Sequence, residues 1–284
     1  MSQSAKDHTK ESPWPWFIGE MAGTFLLVFF GCGSVCAAIL HGAQVGIFQV
    51  AIVWGIGIAL AIHLTASLSG AHLNPAITLA AACWAGFSRR KVIPYLAAQM
   101  LGAFAAAAIL HLVFAQSLAS FEQANGIVRG QPGSEASAMV FAEYFPNPGG
   151  HPLAVGHTAA ISIGQAFTVE VVGTGILALV IFGLTDPRNR ERPTFLAPAL
   201  IGLTVTLLIS LFGPLTMACF NPARDLAPRL YSSLAGWGSI PFLTNGSGWL
   251  VVYVIAPILG ALIGAGIWKT VLAPQYRLRH EELV

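Results

Sequence analysis

Asn74-Pro75-Ala76-Ile77-Thr78-Leu79 and Asn221-Pro222-Ala223-Arg224-Asp225-Leu226 open with the same tripeptide, 147 residues apart. Asparagine is a favoured helix N-cap. Proline is a favoured first helical residue, because its missing N–H would have no partner there anyway. Each stretch therefore predicts a helix start, with short helices near 74–87 and 221–234. A helix of about 12 residues spans roughly 18 Å, enough to reach the middle of a bilayer but not to cross it.

One such tripeptide predicts only a cap. A second repeat makes the pair informative. Glu20-Met21-Ala22-Gly23-Thr24 returns as Glu170-Val171-Val172-Gly173-Thr174, offset by 150. Two separate motifs with nearly equal offsets indicate an internal duplication.

Six apolar runs, near 16–40, 46–66, 91–117, 161–184, 195–212 and 249–272, are long enough to cross a bilayer. Each half holds three spans, so the second half enters the membrane from the opposite side. The expected fold is an all-α membrane protein of six transmembrane helices and two re-entrant half-helices in an inverted three-helix repeat. It is organised as one membrane domain over 1–272: a first repeat at 13–117, an extracytoplasmic loop at 118–160 and a second repeat at 161–272. A cytoplasmic tail follows at 273–284. The loop is long for a structureless connection, so local order is expected in it. Gly102 with Ala106, and Gly260 with Gly264, fit close helix crossings in lipid.

Composition agrees. The 284 residues are 55% hydrophobic and 9% charged, and soluble domains carry nearer a quarter charged residues. A net charge of +2 argues against a nucleic-acid partner. Cys32, Cys36, Cys83 and Cys219 lie in apolar stretches without a CxxC pair and read as small hydrophobes, so neither metal nor cofactor is expected. The first apolar run is long enough to span rather than be cleaved as a signal. Eleven of the fourteen basic residues fall on one side of a six-span arrangement: Lys6, Lys10, Arg89, Arg90, Lys91, Arg188, Arg190, Arg192, Lys269, Arg277 and Arg279. The positive-inside rule puts both termini in the cytoplasm, with a cell membrane as the location.

The pseudo-two-fold brings the two half-helix N-termini together at the midplane, and each behaves as roughly +0.5 charge. Cations are disfavoured there. Irregular backbone at membrane depth is tolerated only where it is buried or lines a wet cavity. Residues 65–73 and 213–220 would then supply carbonyl acceptors, with Gly70, Ala71, His72, Met217, Ala218 and Cys219 the candidates. The side-chain amides of Asn74 and Asn221 would donate to a passing oxygen. Donors flanked by acceptors suit water or a hydroxyl-bearing solute, and no covalent chemistry is needed.

Ser69-Gly-Ala-His-Leu-Asn-Pro-Ala76 and Phe220-Asn-Pro-Ala-Arg-Asp-Leu-Ala-Pro-Arg-Leu230 resemble the major intrinsic protein (aquaporin) family, whose fold is a right-handed bundle. Asp225 and Arg229, with Val53-Trp54-Gly55 and Phe121-Glu122-Gln123, look like its glycerol facilitator branch. The resemblance covers about Trp14 to Leu272. It implies glycerol as the solute, a homotetramer, and an outer constriction of four residues. Arg224 matches its arginine and Trp54 its aromatic wall. Counting back without gaps gives Ala218 and Ile209, where the glycerol branch has a second aromatic and a glycine. Tyr253-Val254 is a further departure.

A full charge at membrane depth is costly and marks a functional residue. A cation about 8 Å from Arg224 would feel roughly 2 kcal/mol of repulsion at an effective dielectric near 20, about thirtyfold. Glu20 and Glu170 are expected to hold the backbone of the re-entrant loops, as their family counterparts do, with a proton relay as the alternative. Asp225 joins them as a loop-bracing residue, and His72 is expected to brace its loop.

Three functions compete. The first is a passive channel for glycerol-like solutes. The second is a water-selective or broader channel for urea, small uncharged acids, ammonia or metalloid hydroxides. The third is an ion-coupled transporter, because these also use inverted repeats and broken helices. An enzyme fits least, because the sequence has no nucleophile–base pair and no ligand cluster.

Overall fold

The computed structural model describes residues 12, 14–44, 46–153 and 161–276. Lys6, Lys10, Arg277 and Arg279, used for orientation, lie outside the described residues. Among the described residues, six helices are long and apolar enough to cross a membrane. They are α1 (Trp14–His41), α2 (Ile47–Ser69), α4 (Arg89–Ala124), α6 (Ile163–Thr185), α7 (Ala197–Thr216) and a last span, Gly248–Tyr276. The last span is α10 (Gly248–Leu250) and α11 (Ala256–Ile267), joined by a π turn at Val251–Ile255 and ending in another at Trp268–Leu272. Two half-length helices, α3 (Pro75–Trp84) and α8 (Pro222–Ser232), start at the two Asn-Pro-Ala motifs.

The packing repeats across the duplication. Helix α1 lies on α2 and α4 as α6 lies on α7 and α11, while α3 packs on α11 and α8 on α4. Each half-helix therefore sits against the other half's third span. The halves meet along α2 and α7 at a glycine pair. A Cβ on Gly55 would lie 2.6 Å from the Gly202 carbonyl oxygen, and one on Gly202 2.2 Å from that of Gly55. Gly102 and Gly260 mark equivalent crossings. A Cβ there would meet the carbonyl oxygens of Met21 at 2.1 Å and Val171 at 2.3 Å. Lipid gives no hydrophobic drive for helix association, so such close backbone approach is what lets these helices gain packing energy.

The connection between α4 and α6 departs from the expected boundaries. Helix α4 runs on to Ala124 rather than ending near 117, and Leu118 and Glu122 on its extension are buried. Beyond it, α5 (Glu135–Ala138) opens a buried stretch, 135–145. Glu135 holds this connection by accepting from the Gly133 and Leu153 N–H groups, both at 2.9 Å. Trp237, fully buried, donates to the Ser137 hydroxyl at 2.9 Å. A folded cap thus covers one end of the spans, with α9 (Ile240–Leu243) beside it.

Candidate functional site

Helices α2 and α7 run deeper than the sequence suggested, to Ser69 and Thr216. The irregular segments are therefore 70–73 and 217–220, shorter than the expected 65–73 and 213–220. Tyrosines satisfy the terminal carbonyls: Tyr95 donates to Ser69 O at 2.8 Å and Tyr253 to Thr216 O at 3.1 Å. Tyr253, a departure from the glycerol branch, sits inside the π turn, which admits its ring beside α8.

Both segments carry the same backbone pattern. Gly70, Ala71 and Leu73 have φ of 82, 51 and 51°, and Met217, Ala218 and Phe220 have φ of 63, 65 and 53°. Left-handed backbone costs roughly 1–2 kcal/mol per non-glycine residue, so something must hold it. Two buried carboxylates do. Glu20 accepts from His72 N at 2.9 Å, Leu73 N at 2.8 Å and Gln99 Nε2 at 2.7 Å. Glu170 accepts from Cys219 N at 3.0 Å, Phe220 N at 2.8 Å and the Thr216 hydroxyl at 2.6 Å. All of these donors but the half-buried His72 N–H are buried, and the carboxylates sit at matching places in the two halves. Gly23 and Gly173 make room for the residues before the asparagines: a Cβ would lie 2.4 Å from Leu73 Cδ2 and 2.1 Å from Phe220 Cε1 respectively.

Each asparagine caps its own helix. Asn74 Oδ1 accepts from Ala76 N at 2.8 Å, and Asn221 Oδ1 from Ala223 N at 3.0 Å and Arg224 N at 3.3 Å. Their amide groups cross. Asn74 Nδ2 donates to Phe220 O at 2.7 Å and Asn221 Nδ2 to Leu73 O at 2.8 Å. One N–H of each amide thus ties the halves together. The bonds also bring the two helix N-termini face to face.

A cavity of about 500 Å³ runs past this junction. Trp54, Ile209, Ala218 and Arg224 line it beyond the second helix end, and Asp186, Arg188 and Lys269 line it at the other mouth. Gly70, Ala71, His72 and Cys219 also line it. Met217 does not: it packs in the core, where its sulfur accepts from Tyr144 N at 3.2 Å. His72 Nδ1 lies 3.2 Å from the Thr78 hydroxyl, and the ring packs on Phe87 and Tyr95.

Arg224 is 2% exposed. Its Cζ lies 4.6 Å from the Trp54 ring centre, and Gly31 lets that ring lie flat on α1. Its Nη1 donates to Phe141 O at 2.8 Å, and its Nε is 2.8 Å from Glu143 Oε1. Sequence reasoning missed Glu143. Its only trace there is a lone acid in the apolar run Met139–Phe145. Burial pushes its carboxyl up to about 7 in spite of the neighbouring guanidinium. Asp225 bonds the connection between α4 and α6. Its Oδ1 accepts from Glu143 N at 2.8 Å, and both its oxygens take Arg229, at 2.8 Å each. Arg229 in turn donates to the carbonyls of Glu143 and Pro241, stapling the folded cap to α8.

Comparisons with known proteins follow the same lines. The family described as Major intrinsic protein matches residues 7–268. A glycerol uptake facilitator protein of Pseudomonas aeruginosa is 45% identical, over 93% of this chain and 92% of its own length. Its Escherichia coli K12 counterpart is 42% identical, over 90% and 87%. A propanediol uptake facilitator of Citrobacter freundii is 42% identical, over 89% and 90%. The crystal structure of the aquaglyceroporin from Plasmodium falciparum superposes with a TM-score of 0.78 at 27% identity, covering 93% of this chain and 98% of that one.

Proposed function

The chain belongs to the major intrinsic protein family, and from that membership we propose how it works as a passive membrane channel for glycerol and similar small uncharged solutes. One observation carries the path: the crossed bonds from Asn74 to Phe220 O and from Asn221 to Leu73 O. They set two helix N-termini against each other beside a continuous cavity. A neutral hydroxyl can accept from the free amide hydrogens and donate to the carbonyls of Gly70, Ala71, His72, Ala218 and Cys219. A cation meets two positive helix ends and is repelled.

The outer constriction is Trp54, Ile209, Ala218 and Arg224. The indole gives the carbon chain an apolar wall, and Arg224 retains donors for the hydroxyls. Solute passes without a catalytic step. Glu20 and Glu170 act structurally, since each is committed to two backbone N–H groups and is unsuited to carry protons. Both termini face the cytoplasm, with the Asp186 mouth on that side, and four copies assemble with one path each.

Ile209 and Ala218 favour a tolerant filter, because no second aromatic closes it. The propanediol facilitator relatives support the same breadth. Stopped-flow light scattering of proteoliposomes under glycerol, urea and water gradients tests the reading. Glycerol flux well above that of empty liposomes, unchanged by a proton gradient, is the expected result. Flux at the level of empty liposomes would overturn it, and dependence on the gradient would mean coupled transport.

A further inference from the structure

Behind the outer constriction, Arg224 and Glu143 form an ion pair with both side chains almost wholly buried. Arg224 lines the cavity and Glu143 does not, so the carboxylate occupies the side of the guanidinium away from the path. Both backbone ends of Glu143 are clamped. Its N–H donates to Asp225 at 2.8 Å, and its carbonyl accepts from Arg229. This is a rigid, tethered counter-charge. A carboxylate is the best-matched ligand for an arginine fork. A buried arginine without one, facing a wet path, would recruit a small anion from solution.

We propose that Glu143 is a specificity-determining residue that keeps small organic anions out of the channel. It holds Arg224 with an internal carboxylate, so a hydroxylated anion of glycerol's size finds no uncompensated charge to bind. The inference rests on the reading of Arg224 as part of the constriction. It separates two properties of that arginine: its donors, which neutral polyols use, and its charge, which the protein has already cancelled. Glu143 is surrounded by Arg224, Asp225 and Arg229 of α8, Cys219 of the re-entrant segment, Glu170 of α6 and Tyr253 of the last span. Of the carboxylates in this group, it alone comes from the outer connection.

The test is glycerol flux through full-length protein in liposomes with 2-hydroxyethanesulfonate added, an anion that stays ionised throughout. The parent at about pH 8 should ignore it. Glu143→Gln keeps an acceptor for Arg224 but removes the charge. Its apparent affinity for the anion should rise by about thirtyfold, the effect of one unit charge at about 8 Å. Glu143→Asp should restore indifference. A parallel arm needs no variant: the parent at about pH 5.5, with Glu143 protonated, should become anion-sensitive. A transporting Glu143→Gln protein as indifferent as the parent would overturn the proposal. If that variant does not transport, indifference of the parent at both pH values would overturn it instead. Absent glycerol flux in the parent would sink the channel reading, a separate failure.

Discussion

The two ends of the path are built from equivalent positions and carry different chemistry. Beyond the second helix end stand Trp54, Ile209, Ala218 and Arg224. Their counterparts at the 147-residue offset are Ile201, Ile62, Ala71 and Ile77, and all eight line the cavity. The offset is physical, because Gly55 meets Gly202 and each asparagine bonds the residue before the other. Farther along the half-helices, Thr78 and Ala82 stand where Asp225 and Arg229 stand in the second half. Backbone turns, caps and bracing carboxylates are thus duplicated, while the buried ion pairs belong to one end. The duplicated parts make the fold; the unduplicated parts are where the proposed channel would set its selectivity.

The largest effects should come from the duplicated parts, and equally from either half. Glu20→Ala or Glu170→Ala leaves two backbone N–H groups without their carboxylate, at about 1–3 kcal/mol for each that is buried. For a protein of this size that lowers the unfolding temperature by roughly 5–20 °C or prevents folding. Thermal unfolding in detergent checks both variants. A parent-like melt for either one would break the equivalence of the halves.

Next comes Arg224→Ile, which gives the outer end the residue of the inner one. Glycerol flux should persist, while proton leak rises at least about tenfold, because Glu143 is left as an unpaired negative charge worth about 2 kcal/mol of attraction for a cation about 8 Å away. Collapse of a pH gradient across liposomes, read with an entrapped dye, measures this. Adding Glu143→Leu should recover part of the barrier by removing the stranded carboxylate. A single variant as tight to protons as the parent would place the whole barrier at the helix ends.

This division also marks what the sequence could disclose. Caps and spans are local signals, so Asn74-Pro75, Asn221-Pro222 and the six apolar runs were legible, and their repetition conveyed the inversion. Glu20 and Glu170 were legible as a symmetric pair. Glu143 was not, because it meets Arg224 across 81 positions with no spacing rule to connect them. The crossing of the asparagine amides was hidden for the same reason: one tripeptide says nothing of the partner 147 residues away. Helix ends at Ser69 and Thr216 depend on hydroxyls from Tyr95 and Tyr253, which lie on other spans.

A smaller effect tests the outer aliphatic pair. Ile209→His with Ala218→Phe should narrow the constriction and raise the water-over-glycerol ratio by about tenfold, the worth of a few methylene-sized contacts. Stopped-flow ratios check it. An unchanged ratio would mean that these two side chains do not set the aperture, although both line the cavity.

The smallest expected effect is at the inner mouth, and it sharpens the contrast with Glu143. Asp186 accepts from Arg188 N at 2.9 Å and Nε at 3.0 Å, and from Trp268 Nε1 at 2.9 Å. Hydrogen bonds from the Arg188 side chain hold its carboxyl well below the ordinary range. A carboxylate with a depressed folded value gives its stabilisation in full above the unfolded value of about 3.9, and loses it only as pH falls through the folded one. Acidifying the inner compartment from about pH 8 to about 5.5 should therefore leave Asp186 charged and the flux unchanged. The same step at the outer side crosses the titration of Glu143. Flux through uniformly oriented vesicles, with the two compartments buffered separately and the hydroxyethanesulfonate anion present, compares the two. Sensitivity confined to the outer side is the expected outcome, and equal sensitivity at both mouths would mean that charge is not what distinguishes them.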